Sequence, residues 1–228
     1  MNAKALFILA IATLAGAAFA APPPQPAPAA RDSLVPVQTR NLDEFYLRPD
    51  ANLASYRKVI IDPVQVSFDR NWIRKMNDTR DVTRWVSKDD ARRIAEEMAS
   101  SLGNIVAGEF KARGYQIAAA PGPGVLRLSP SVTDLYVNAA ENVATGGTTK
   151  SFTKDAGEAK LVLEARDSVS GTLLGRVVDH RTAREGTKGT QLSDVRRTTT
   201  VSNNFWFDTA FRRWAATCVK EFETAKKS

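Results

Sequence analysis

Side chains that could carry out nucleophilic or metal chemistry are few in this sequence. Its 228 residues include one histidine, His180, and one cysteine, Cys218. A triad with a histidine base would have to use His180, which falls among charged residues in a predicted strand and reads as an ordinary strand residue. A zinc site built from His and Cys needs three or four ligands, so these two residues cannot form one. Cys218 falls on the apolar face of a predicted helix and is expected to be buried.

Carboxylates are numerous, but their spacing does not match a known ligand loop. The aspartates between 62 and 90 are interleaved with Arg and Trp, and none has the spacing of a calcium-binding loop. Asp89 and Asp90 fit the first turn of a helix, where the helix dipole favours negative charge. Gly146-Gly147 and the 186–189 segment lack the strand and the spacing of a phosphate loop. We therefore predict no catalytic residue, no metal site and no cofactor, with a carboxylate-dependent hydrolase as the alternative.

The segment from Asp69 to Trp85 combines the residue types that are most enriched at binding hot spots, Trp and Arg. It can be a partner surface, or its tryptophans can pack on a sheet while its arginines face water. A second basic cluster precedes the last predicted helix. If both clusters lie on one side, the molecule presents a positive face. The predicted binding residues are Arg70, Trp72, Arg74, Lys75, Arg84, Trp85, Arg196 and Arg197.

Hydrophobic spacing predicts the elements that must position these residues. Apolar residues alternate from Tyr56 to Phe68, and their phase slips by one at Asp62-Pro63, which predicts one strand bent by a β-bulge. The stretch from Ser87 to Arg113 carries a single apolar stripe and predicts an amphipathic helix that ends at Gly114. The other predicted elements are strands at Tyr115–Ala119, Val125–Val137, Ala159–Arg166 and Leu173–Thr182, and a closing helix at Asn203–Lys226.

This order of elements predicts an α+β fold. Strands that alternate in one phase and helices with one apolar face make a two-layer α/β sandwich. We expect a mixed sheet of about five strands with two helices packed on one face. Two polar segments, 138–157 and 183–202, are long for loops; the first is read as a loop, and the second as a functional loop or as unrecognised strand pairing.

The N-terminal segment predicts export. An apolar run from Ala5 to Ala18 follows Lys4 and ends in the small-x-small triplet Ala18-Phe19-Ala20, so residues 1–20 are predicted to be a signal peptide cleaved between Ala20 and Ala21. The run is shorter than the roughly 20 apolar residues of a membrane span. Residues 21–40, six of them proline, predict an extended Pro/Ala-rich linker before a single domain at 41–228.

Composition narrows the class of protein and of partner. A hydrophobic fraction of 43% excludes a disordered chain, one cysteine excludes a disulfide scaffold, and one long apolar run excludes a multi-pass membrane protein. The net charge is +7. In the periplasm a basic protein meets an envelope protein or an anionic envelope component, whereas nucleic acid is disfavoured. We therefore predict a non-catalytic periplasmic binding module, the alternative being a hydrolase of an envelope polymer.

Two stretches carry a family resemblance. The sequence Tyr56-Arg57-Lys58-Val59-Ile60-Ile61-Asp62-Pro63-Val64 resembles the start of a bacterial envelope family known as domain of unknown function thirty-three thirteen. The sequence from Leu161 to Ser168, followed by Gly171-Thr172-Leu173-Leu174, resembles its later hairpin. The resemblance implies a lipoprotein-like envelope protein and supplies neither an activity nor catalytic residues. This chain has no cysteine near the cleavage site, so we expect it not to be lipidated.

Overall fold

One mixed sheet dominates the computed structural model, which describes residues 34–78, 82, 85–138, 151–153, 156–183, 196–198 and 200–226. Eight strands of the described residues form this sheet: β1 Val35–Pro36, β2 Glu44–Leu47, β3 Lys58–Ile61, β4 Gln65–Phe68, β5 Gln116–Ile117, β6 Val125–Val137, β8 Gly157–Asp167 and β9 Leu173–Ala183. A separate two-stranded sheet pairs β7 Ser151–Thr153 with β10 Arg196–Thr198. The helices are α1 Trp72–Asp78, α2 Lys88–Ala112 and α3 Thr200–Ala225.

The strand order is β1-β2-β9-β8-β6-β3-β5, and β4 also pairs with β6. β6 runs parallel to β3 and β4, β3 runs parallel to β5, and the other pairs are antiparallel. The α+β class and the mixed sheet agree with the sequence, but the prediction of about five strands and two helices was too small. β1, β2 and α1 are too short for periodicity to reveal them. β1 also lies inside the segment predicted to be a linker.

The first predicted strand is present as two segments separated by the predicted irregularity. β3 pairs with 125–128 of β6, and β4 pairs with 131–135, so Asp62, Pro63 and Val64 form the break between them. Pro130 of β6 lies opposite this break. A proline in mid-strand removes a ladder hydrogen bond, and here it falls where β6 has no ladder partner on that side.

A bulge in β6 decides which side chains reach each face of the sheet. The register with β8 shifts between Thr133 and Tyr136, and Asp134 in the bulge has φ of 52°. Before the bulge, Leu128 and Val132 join the buried core; after it, Leu135 does. One extra residue moves the apolar phase by one, as expected of a bulge. The opposite face of β6 therefore carries polar side chains from Arg127 to Thr133, and Tyr136 follows after the bulge.

α2 agrees closely with its prediction. Ser87 is the N-cap: its hydroxyl accepts from the amide of Asp90 at 3.1 Å, and the Asp90 carboxylate accepts from the amide of Ser87 at 3.0 Å. This reciprocal pair is a capping box. At the other end Gly114 has φ of 85°, the left-handed conformation that glycine adopts readily after a helix.

α2 and α3 pack against each other and share one buried core with the sheet. Leu102 and Phe110 of α2 and Phe211 and Trp214 of α3 belong to this core, to which β3, β6, β8 and β9 also contribute apolar residues. Phe110 lies near Phe222 of α3, with ring centroids 6.4 Å apart. α3 begins at Thr200, three residues before the predicted start. The pairing of β10 with β7 shows that the 183–202 segment contains the strand pairing that the sequence left open, and that the 138–157 segment is not loop throughout.

Candidate functional site

The structure corrects the prediction for Trp72. This side chain is 0% exposed and stacks on Phe68, with ring centroids 4.2 Å apart. Its indole N–H donates to the carbonyl of Val137 at 3.0 Å. An indole that is buried, stacked and hydrogen-bonded belongs to the core. Trp72 therefore anchors α1 to the sheet and does not form part of a surface.

The basic side chains around Trp72 do face solvent. Arg70, Arg74 and Lys75 are all exposed. The Lys75 ammonium lies 3.2 Å from the Asp69 carboxylate and 5.5 Å from the centre of the Tyr136 ring. The seven-residue helix α1 therefore turns its aromatic side chain inward and its cations outward.

Trp85 is the exposed tryptophan of the segment. Its neighbour Val86 is buried and is held at both backbone groups by Asn77, which donates to the Val86 carbonyl at 3.0 Å and accepts from the Val86 amide at 2.7 Å. With Val86 fixed toward the core, Trp85 is 49% exposed, and Val82, whose carbonyl accepts from the Trp85 amide, is 68% exposed. By orienting Val86 toward the core, Asn77 leaves Trp85 and Val82 exposed at the surface.

The remaining predicted residues are only partly placed. Arg196 and Arg197 lie in β10, where they pair with Thr153 and Phe152 of β7; their side chains lie outside the described part of the chain. Arg84 and the predicted cleavage residues, Ala20 and Ala21, also lie outside it. The predicted combination of both basic clusters into one positive face stays a prediction.

The face of the sheet opposite the helices is a polar surface that the sequence analysis did not single out. It contains a groove of about 580 Å³. In it, Arg127 Nε donates to both carboxylate oxygens of Asp62, at 2.9 and 3.0 Å, and the Ser129 hydroxyl donates to Asp62 at 2.6 Å. Partial burial opposes ionisation of Asp62, but these hydrogen bonds outweigh it and lower its pKa. The groove is also lined by Gln65, Thr133, Lys160, Val162, Glu164 and Arg176.

A second groove, of about 430 Å³, lies at the other end of the same face. Three carboxylates line it, those of Asp69, Asp134 and Glu158, together with the Lys75 ammonium and the His180 imidazole. The His180 imidazole lies 3.6 Å from the Glu158 carboxylate. No group of His, Cys, Asp and Glu among the described residues is arranged to hold a metal ion.

Asp179 is the buried carboxylate of the described part of the chain. Burial raises its pKa, and the opposing contribution comes from Arg181, which donates a hydrogen bond to it, and from the Asp43 amide, which donates at 3.1 Å. Its carboxylate is therefore satisfied by a cation and a backbone donor. The arrangement stabilises the β2–β9 edge beneath α3; it is not a pair of acids facing each other across a cleft.

Cys218 is buried on α3, and burial raises the pKa of its thiol well above the usual value. Because the thiolate is the reactive form, we expect labelling by a thiol reagent to be slow in the native protein and fast in denaturant. Time courses in the two conditions test this. Rapid native labelling would mean that α3 does not pack as described.

No helix within the described ranges is long and apolar enough to cross a membrane. No curated protein matches the sequence.

Three solved structures show weak similarity. The PelC dodecamer of Paraburkholderia phytofirmans is 13% identical, with 73% of this chain and 89% of that chain covered and a TM-score of 0.35. A Xanthomonas campestris protein described as DUF330 is 11% identical, with coverages of 75% and 87% and a TM-score of 0.37. A Caulobacter crescentus protein described as a candidate lipoprotein is 14% identical, with coverages of 78% and 95% and a TM-score of 0.32. Similarity this low implies nothing about ligand or activity.

A family model described as "Protein of unknown function (DUF3313)" matches residues 25–206, about four fifths of the chain. The match includes β3 and the β8–β9 hairpin, the two stretches on which the resemblance rested. The chain therefore belongs to the DUF3313 family.

Proposed function

We propose that the protein is an exported, non-lipidated envelope module that binds another envelope component without catalysing a reaction. The binding region is the α1–α2 surface, defined by the exposed residues Arg70, Arg74, Lys75, Val82 and Trp85. The observation that carries the proposal is the exposure of Trp85 beside Val82, held in place by Asn77. Arg84, Arg196 and Arg197 stay proposed members on sequence grounds.

Exposed apolar side chains of this size favour contact with a partner. An exposed tryptophan leaves a large apolar area in water, and burying that area against a partner is favourable by about 25 cal/mol per Å². Arginine and tryptophan are also the residue types that dominate binding hot spots. Because Asn77 already holds Val86, the residue next to Trp85, less conformational entropy is lost there on binding. The partner is an envelope protein or an anionic envelope component.

The hydrolase alternative would be favoured by two buried acids that face each other in a cleft. In the described part of the chain, the buried acid Asp179 is instead hydrogen-bonded to Arg181. The carboxylates of the two grooves lie on an open sheet face, and Asp62 is paired with Arg127. These pairings fit structural roles better than a two-carboxyl hydrolase mechanism, which needs one carboxyl held protonated near a second ionised one.

Capture from an envelope extract tests the binding surface. The protein is immobilised, and captured components are compared for the wild type, Trp85→Ala and the double variant Arg70→Glu/Arg74→Glu, at low salt and at about 0.5 M salt, where exposed charges are strongly screened. We expect one component to be captured by the wild type and lost from both variants. High salt should weaken capture by the wild type.

A charge-matched variant is the control for this experiment. Arg212→Glu/Lys220→Glu changes the net charge equally, but its residues are exposed on α3. It should capture as the wild type does. Each exposed substitution should change stability by less than about 0.5 kcal/mol. Equal capture by all four proteins would show that the α1–α2 surface does not bind the component.

Processing has its own test. If residues 1–20 are a signal peptide, N-terminal sequencing of the exported protein should begin at Ala21, since Ala18 and Ala20 provide the small residues that cleavage needs. An intact Met1 on folded, membrane-bound protein would contradict the assignment to the periplasm.

A further inference from the structure

The helix-free face of β8 carries charges in an unusual order. Its outward side chains are, in sequence, Glu158, Lys160, Val162, Glu164 and Arg166, which read negative, positive, neutral, negative and positive. Reading the row backwards inverts every charge. The alternate residues of β8 are buried in the core with α2 and α3, so this row is the one that faces away from the helices.

This order is complementary to itself under twofold symmetry. In an isologous dimer, a residue i that contacts residue j of the other copy is matched by a second contact, of residue j with residue i of the other copy. An axis that crosses β8 at Val162 would place Glu164 of one copy opposite Lys160 of the other, and Arg166 opposite Glu158. Each contact occurs twice, so four opposite-charge pairs form around the axis at Val162.

The neighbouring strands are in register with this axis. Val162 pairs with Val178 of β9 on one side and with Ser131 of β6 on the other. Val162 and Val178 are both buried although no helix covers them, so the centre of the face is apolar beneath longer side chains.

The outer rows of β6 fit the same axis. In the β6–β8 ladder Arg127 lies opposite Arg166, and Tyr136 lies opposite Glu158 because the bulge at Asp134 inserts one extra residue in β6. A dimer would therefore place the Arg127 guanidinium of one copy against the Tyr136 ring of the other, a favourable cation–π pairing. On β9, Arg176 would meet His180, a pair without opposite charges. The attraction between the two copies therefore comes from the side chains of β8 and β6.

We propose that this face is a dimerisation surface and that its occupant is a second copy of the chain, packed sheet to sheet about the Val162 axis. Glu158, at 53%, and Lys160 are exposed, whereas Glu164 and Arg166 are half-buried, at 23% and 25%, and form an ion pair with each other at 2.8 Å. This face meets the α1–α2 surface at Lys75, which lies over the Tyr136 ring, but the dimer does not depend on the proposed function.

The expected dimer is small and sensitive to salt. The exposed face spans five strand positions: β2, β9, β8, β6 and the β3–β4 pair. With strands ~4.8 Å apart and about eight residues along each, it offers roughly 600 Å² per copy, or about 1,200 Å² in total, which is the lower end of specific interfaces. Two aligned sheets cross at about 30°. At this angle Lys160 and Glu164, two residues from the axis, are displaced from their partners in the other copy by only a few Å. Lys, Arg and Glu side chains can span that distance. Since the contacts are mainly charged, we expect a weak dimer that dissociates at high salt.

Sedimentation velocity on the mature protein up to about 100 µM tests the proposal, a range that detects micromolar association. The wild type should dimerise at low salt, and Lys160→Glu should be monomeric because the introduced carboxylate would face Glu164 of the other copy. Glu164→Lys should be monomeric for the converse reason. The double variant Lys160→Glu/Glu164→Lys restores both pairs and should dimerise, as should an equimolar mixture of the two single variants.

Three outcomes would overturn the proposal: a wild type that is monomeric at low salt, a Lys160→Glu variant that dimerises as strongly as the wild type, or a monomeric double variant that is folded. Circular dichroism reports the folding of each protein. If Glu164→Lys fails to fold, the same exchange is made with Arg166→Glu and Glu158→Lys. The control is again Arg212→Glu/Lys220→Glu, whose dimerisation should equal that of the wild type.

Discussion

Replacing Trp72 by alanine should lower the free energy of unfolding by about 3–5 kcal/mol, the usual cost of removing a large buried aromatic side chain. The side chain is fully buried, stacks on Phe68 and donates a hydrogen bond to the carbonyl of Val137. Its removal would open a cavity and leave that carbonyl without this donor. Chemical denaturation monitored by circular dichroism measures the change.

Two further variants separate the causes. Trp72→Phe keeps an aromatic ring against Phe68 but loses the indole N–H, so we expect a smaller loss than for alanine. Trp85→Ala removes the same residue type from an exposed position in the same segment, and its effect should stay within about 0.5 kcal/mol. Equal stabilities for Trp72→Ala and Trp85→Ala would refute the assignment of Trp72 to the core.

Gly157→Ala should destabilise the protein by about 3 kcal/mol or more, since strained backbone and overpacking each cost roughly 1–3 kcal/mol. Gly157 is the first residue of β8 and has φ of 140°. A Cβ at this position would overlap the backbone carbonyl of Tyr136 on β6, which cannot move without disturbing the β6–β8 ladder. The melting temperature and the denaturant midpoint should both fall.

Gly108→Ala is the matched control. Gly108 lies inside α2, and a Cβ there would meet no atom within 4 Å. Alanine has a higher helix propensity than glycine, so this change should stabilise the protein by about 0.5–1 kcal/mol. If Gly157→Ala were as well tolerated as Gly108→Ala, the close approach of β8 to Tyr136 would be wrong.

Elements with a long hydrophobic pattern could be predicted from the sequence. α2 has seven buried apolar residues along one stripe and a capping residue at Ser87, and both signals are local. The hairpin of β8 and β9 was predicted from alternation and from the turn around Gly171. The break between β3 and β4 was visible as a change of phase at Asp62-Pro63, because a bulge shifts the alternation within the strand itself.

The candidate binding surface could be predicted only in part. Trp72 and Trp85 have the same side chain and lie in one segment, but Trp72 is in the core and Trp85 is at the surface. Trp72 is buried because it stacks on Phe68, where α1 packs on the sheet. Trp85 is exposed because the hydrogen bonds from Asn77 orient its neighbour Val86 toward the core. These contacts bring together residues from different elements, and seven residues are too few for a helical stripe to indicate the inward face.

Fold class, family and the long elements were thus determined by the sequence alone, since they depend on local periodicity and on motifs within single stretches. The tertiary structure decided the strand order and the inclusion of β1 and β2 in the sheet. The charge order of β8 can be read from the sequence, and the packing of both helices on one face was predicted; the structure adds which strands flank β8 and therefore which side chains share its exposed face. Strand order depends on contacts between distant parts of the chain, which no single stretch encodes.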